Sequence, residues 1–130
     1  MTKTDAELRK LEFKRGDFVY INLHKDKDGS SVQDGNRPCL IVSNNASNKF
    51  APFLTVVPLT TRQKKNIPTH VNLKRDDVHV GDKFKLNEST LLCEQVMAVD
   101  KANITDTRVA HAKPYLIAKV NEKLKVQLGL

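Results

Sequence analysis

Asn36-Arg37-Pro38-Cys39-Leu40-Ile41-Val42-Ser43-Asn44 sets four consecutive apolar residues behind an Arg-Pro pair, with polar residues on either side. A run without polar alternation is apolar on both faces, so Pro38–Ser43 reads as a central, buried strand. Upstream, residues 24–36 are almost wholly polar and carry Gly29 and Gly35, which makes them a long loop. That loop follows a first strand, Asp17–Leu23, rich in β-branched and aromatic residues and entered through Gly16. Downstream, Asn44–Lys49 is a turn cluster. A third strand, Phe53–Val57, follows and ends at Pro58-Leu59-Thr60-Thr61.

The remaining segments keep to the same scale. A basic loop, 62–69, leads to a fourth strand, His70–Leu73, and the charged stretch 74–88 has Gly81-Asp82 as the turn of a small hairpin. Ser89–Val99 is too long for one plain strand, and a kink near Glu94-Gln95 would let their polar side chains leave an apolar surface. Thr4-Asp5-Ala6-Glu7 fits a capping box, with a short helix over 5–12. Pro114 opens a longer helix in which Leu116, Ile117, Val120, Leu124 and Leu128 recur at helical spacing, with Gly129 as its C-cap. Several short strands with two terminal helices predict a mostly β member of the α+β class, a small, strongly bent sheet or barrel. There is no βαβ alternation, so a parallel nucleotide-binding sheet is not expected.

With 130 residues the chain has the length of one domain, read here as 1–130 with residues 1–13 as an N-terminal extension. No apolar run reaches the roughly 20 residues of a membrane helix, and the polar N-terminus lacks a signal-peptide centre. A cytoplasmic protein without a membrane partner is expected. Lys and Arg exceed Asp and Glu by 22 to 15, a net charge of +7. Arg62, Lys64, Lys65, Lys74 and Arg75 lie in a stretch without an acidic residue, suited to a polyanion or, more plainly, to a solvated loop. Cys39 and Cys93 sit in apolar runs far apart, outside any zinc spacing, and are expected to be buried thiols. His24, His70, His79 and His111 form no metal-ligand pair, so neither a metal nor another cofactor is expected. Arg15-Gly16-Asp17 resembles an integrin tripeptide, yet a tight turn into the first strand accounts for it.

Five segments in order carry more information than any one of them. They are Lys14-Arg15-Gly16-Asp17-Phe18-Val19, Asn36–Asn44, Val57-Pro58-Leu59-Thr60-Thr61, Pro68-Thr69-His70-Val71, and Ser89–Lys101. In these the sequence resembles the MazF/PemK family, the ribonuclease toxins of type II toxin–antitoxin pairs, over about residues 14–128. The resemblance implies an SH3-like, PemK-like barrel of about five to seven strands. It also implies a homodimer and a metal-independent, sequence-selective cut in single-stranded RNA. A cognate antitoxin with an acidic, disordered segment would inhibit it, and the toxin–antitoxin complex would bind operator DNA. The catalytic pair of the family falls on Arg37 and Thr60. The expected RNA-contacting residues are Lys25, Lys27, Ser43, Asn44, Thr61, Arg62, Lys64, Lys65, His70 and Gln95.

The residue chemistry agrees with that expectation. RNA brings its own nucleophile, the 2′-OH, so the protein needs to position it and balance charge. An arginine fork matches the non-bridging phosphate oxygens, and a threonine hydroxyl adds one more donor. Arginine titrates far above neutral pH, which favours electrostatic stabilisation, with acid help to the leaving 5′-oxygen, over general-base catalysis. One departure concerns the first loop. Gly29-Ser30 is followed by Ser31-Val32-Gln33, where many relatives carry an acidic residue. The alternative reading is a barrel that binds nucleic acid without cutting it, or a toxin relative that has lost activity.

Overall fold

Three strands lie at the centre of the sheet: β1 (Asp17–Leu23), β2 (Gly35–Ile41) and β3 (Phe53–Thr60). They belong to a computed structural model that describes residues 12–23, 35–61, 67–80 and 88–130. The expected helix over 5–12, save for Glu12, which is not helical, lies outside the described residues, as do the loop residues 24–34 and residues 62–66 and 81–87. Apolar residues occupy both sides of these strands, as the unbroken run in β2 requires. Phe18, Leu40, Val57 and Leu59 enter one core; Val19, Ile21, Cys39, Ile41, Leu54 and Val56 enter the other. Complete burial of a side chain as large as Phe18 or Ile41 stabilises the fold by about 1.5–3 kcal/mol.

Around this centre are β4 (His70–Leu73), β5 (Val78–Val80), β6 (Ser89–Leu92), β7 (Met97–Asp100) and β8 (Ile104–Ala112). The antiparallel order is β4-β6-β3-β2-β1-β8-β5, with β7 also paired to β3. β3 therefore has two partners on one side, β7 along Phe53–Val56 and β6 along Leu59-Thr60. Changing partners along one strand bends the sheet. Helix α2 (Pro114–Leu128) covers the first core with Leu116 and Val120, and Gly129 ends it at φ +69°. No helix among the described residues is long and apolar enough to cross a membrane.

Several expectations need correction. The cluster 44–49 is not a turn but a short helix, α1 (Asn45–Phe50), because Asn44 caps it through Oδ1, which accepts from the Ser47 N–H at 2.8 Å. The third strand passes through Pro58 to Thr60. Proline is tolerated there because the outer ladder is already interrupted between the β7 and β6 pairings. The second strand begins at Gly35 and ends at Ile41. Val78–Val80 pairs with β8 rather than with a hairpin neighbour. The kink at Glu94-Gln95 is a full 3-10 turn, Cys93–Gln95, which separates β6 from β7.

Arg15-Gly16-Asp17 is the structural turn that was expected, and it ties five elements together. The Gly16 N–H donates to Ile41 O at 2.9 Å, and its carbonyl accepts from the Ala112 N–H at 2.8 Å. Arg15 donates through its backbone to Asn45 Oδ1, through Nε to Val42 O at 2.9 Å, and through its guanidinium to Asn121 Oδ1 of α2. Buried Asp17 accepts from His111 Nδ1 at 2.6 Å. Gly16 has φ +96°, and a Cβ there would lie 2.9 Å from Ile117 Cδ1 and 3.3 Å from the His111 ring. Gly16→Ala is expected to cost about 2 kcal/mol or more from backbone strain and overpacking together. Thermal unfolding should then show a Tm lower by roughly 5–10 °C. An unchanged Tm would mean that the turn does not constrain the fold.

Candidate active site

The arginine in question, Arg37, lies on β2 behind the first loop, half-buried, with its Cα paired to Ile21 of β1. Two residues on, Cys39 is fully buried, and its thiol donates to the Arg37 carbonyl at 3.6 Å. Burial pushes the Cys39 thiol up to about 12, against the opposing pull of the Arg37 charge. The thiol therefore stays neutral at working pH, and no thiolate there offsets the guanidinium.

Thr60 ends β3. The register between β2 and β3 runs Ile41↔Val56, Leu40↔Val57, Cys39↔Pro58. Continued by two residues, one full pleat, it sets Arg37 opposite Thr60 and on the same face. A charged fork and a hydroxyl from two neighbouring strands thus come together, although they are far apart in sequence. Thr60 is only 1% exposed. The half-buried Arg37 is the member of the pair that reaches solvent.

The other expected contacts separate into groups. Lys25, Lys27, Arg62, Lys64 and Lys65 lie outside the described residues. Ser43 Oγ donates to Asn48 Oδ1 and accepts from the Thr55 N–H at 3.1 Å, while Asn44 caps α1, so both side chains already hold backbone in place. Thr61 is exposed at the bend after β3, and Gln95 is half-buried in the 3-10 turn. His70 has a side chain 4% exposed and sets Nε2 2.7 Å from Glu94 Oε2, joining β4 to that turn. Sequence reasoning missed Glu94 as this partner. Its only signal was a carboxylate in an apolar run. Glu94 Oε1 and Thr69 Oγ1 are buried with no hydrogen-bond partner among the described residues. Cys93, beside Glu94, has its thiol pushed up to about 12 by burial first and by the Glu94 charge second.

Known proteins resemble this chain along most of its length. Residues 14–128 match the family model described as PemK-like, MazF-like toxin of type II toxin–antitoxin system. Endoribonuclease EndoA of Bacillus subtilis is 35% identical over 118 residues, covering 90% of this chain and 95% of the relative. Endoribonuclease MazF of Staphylococcus saprophyticus is 33% identical over 119 residues, covering 90% and 92%. Among solved structures, MazF from Deinococcus radiodurans superposes with a TM-score of 0.73 at 25% identity, over 93% of this chain and all of that one. A mycobacterial endoribonuclease in complex with its cognate antitoxin gives 0.66 at 27% identity, over 91% and 96%. With the family model spanning nearly its whole length, and with these relatives beside it, the chain belongs to the PemK-like, MazF-like toxins of type II toxin–antitoxin systems.

Proposed function

We propose that this toxin is a sequence-selective, metal-independent endoribonuclease that cuts single-stranded RNA in the cytoplasm. The observation that carries the proposal is the register between β2 and β3, which, continued two residues past Cys39↔Pro58, sets Arg37 opposite Thr60. Arg37 holds the non-bridging oxygens of the scissile phosphate, where negative charge grows as the 2′-oxygen attacks phosphorus. The P–O2′ bond forms and the P–O5′ bond breaks. The 2′-OH gives its proton to solvent, and the leaving 5′-oxygen takes one from solvent. The products are a 2′,3′-cyclic phosphate, or the 3′-phosphate formed by its hydrolysis, and a 5′-OH. Thr60 donates to a phosphate oxygen once the groups covering it yield to the RNA.

The burial of Thr60 also favours a second reading, a barrel that holds RNA through Arg37 and does not cut it. One experiment decides. The protein is incubated with a mixed single-stranded RNA in excess EDTA, and the fragment ends are identified. Fragments with 5′-OH and 2′,3′-cyclic or 3′-phosphate ends are expected. Binding with no fragments supports the second reading, and loss of cutting on adding EDTA refutes metal independence.

As partners we propose a second copy of the chain and an antitoxin whose acidic segment folds onto the basic surface. Exposed Phe50, Phe53, Val126 and Leu128 support the first. The antitoxin complex titled for a mycobacterial relative supports the second. Operator DNA binding by the toxin–antitoxin complex belongs to the same proposal.

A further inference from the structure

We infer that Asn72 reads the base of a nucleotide beside the cut, an inference that rests on the ribonuclease reading of Arg37 and Thr60. The register places it there. Thr60 of β3 lies opposite Thr90 of β6, and Thr90 lies opposite Asn72 of β4. Directly opposed residues share a face, so Thr60, Thr90 and Asn72 make one polar row across β3, β6 and β4, to which the β2 register, continued two residues past Cys39↔Pro58, adds Arg37. Strands are spaced about 4.8 Å apart, which puts Asn72 roughly 10 Å from Thr60. An extended RNA chain covers that span with its next nucleotide or two.

Asn72 is built into this position rather than merely exposed at it. It is the one exposed residue of β4, whose other three are buried. Asparagine is disfavoured in strands, and edge strands commonly carry lysine where a side chain faces water. Here the buried Thr90 donates its hydroxyl to Asn72 Oδ1 at 3.1 Å. That bond fixes the carboxamide and leaves both Nδ2 protons for an outside acceptor. The chemistry fits a base edge that offers acceptors, such as O6 and N7 of guanine or O2 and N3 of cytosine. A phosphate would bind a nearby lysine as well as this amide; a base edge makes use of the fixed orientation.

The test is a map of every cut in one long single-stranded RNA, made in EDTA, for the parent and for Asn72→Ala, Asn72→Asp and Thr90→Val. The parent should show a strong base preference at a position flanking the cut. Asn72→Ala should weaken discrimination at that position alone by on the order of tenfold. Asn72→Asp, which keeps the shape and the Thr90 bond but replaces donors with acceptors, should shift it towards bases presenting an amino group. Thr90→Val should relax it in part by freeing the amide. If the parent cuts and the folded variants give its profile unchanged, even at a uniformly lower rate, the inference is wrong while the ribonuclease reading stands. If the parent cuts nowhere, both fall.

Discussion

Arg37→Ala is expected to slow cleavage of single-stranded RNA by about 10²-fold or more, with a Tm close to that of the parent. The two readouts separate because the side chain and the backbone of Arg37 do different things. Its backbone pairs with β1 at Ile21, and its carbonyl takes the Cys39 thiol; both survive truncation to alanine. Arg37 is half-buried, so its truncation leaves no large cavity. What disappears is a preorganised positive fork at the point where phosphate charge develops. Arg37→Lys should fall between parent and alanine, since an ammonium keeps the charge but not the paired donors. Single-turnover rates at saturating protein check this without interference from product release. A rate for Arg37→Ala within threefold of the parent, on folded protein, would remove Arg37 from the chemistry.

The strands that were legible in the sequence are those whose burial follows a simple rule. β1 and β4 fall on the expected bounds, Asp17–Leu23 and His70–Leu73, and α2 starts at Pro114 and ends at Gly129 as its capping residues predict. β8, the longest strand, received no assignment. Its register against β1 shifts twice, between Phe18 and Tyr20 and again between Tyr20 and Ile21. Those irregularities break the alternation by which a strand is recognised. Thr105 and Asp106 are exposed, while Val109 and Ala110 are adjacent and both buried. Helix α1 was hidden for a different reason. The same Asn and Ser residues that make turns also cap helices, and only the Asn44 bond to the Ser47 N–H distinguishes the two outcomes.

The site was legible only in part, and the division is physical. Arg37 and Thr60 are marked by motifs, but their placement opposite each other follows from continuing the β2–β3 register, a property of strand pairing between distant segments. The same holds for His70 with Glu94 and for Asp17 with His111, each bond closing a large sequence separation. Local pattern specifies which residues lie on a face. Only the register specifies which of them meet, and here it sets Thr60 opposite Thr90 and Thr90 opposite Asn72.

Replacing the 2′-OH by hydrogen at the single nucleotide 5′ to the cut should abolish cleavage at that bond while leaving others intact. The effect is expected to be complete because neither Arg37 nor Thr60 is a nucleophile in the proposed reaction; both act on a phosphate that the RNA itself attacks. The 2′-oxygen is held next to phosphorus by the ribose, an advantage that intramolecular reactions can express as effective molarities of 10⁵ M or higher. A water replacing it would have to be bound and oriented by groups that the pair does not provide. Binding should change little, since one hydroxyl hydrogen bond contributes only about 1 kcal/mol net, so affinity for the substituted RNA should stay within about tenfold. Placing the same substitution on the 3′ side of the cut should leave the rate largely intact, because that ribose supplies the leaving 5′-oxygen and not the attacking one. Competition between labelled RNAs carrying the substitution on either side measures both effects in one tube. Cleavage of the 5′-substituted RNA at the parent rate would mean that water attacks phosphorus, and the protein would then have to position a water that Arg37 and Thr60 do not hold.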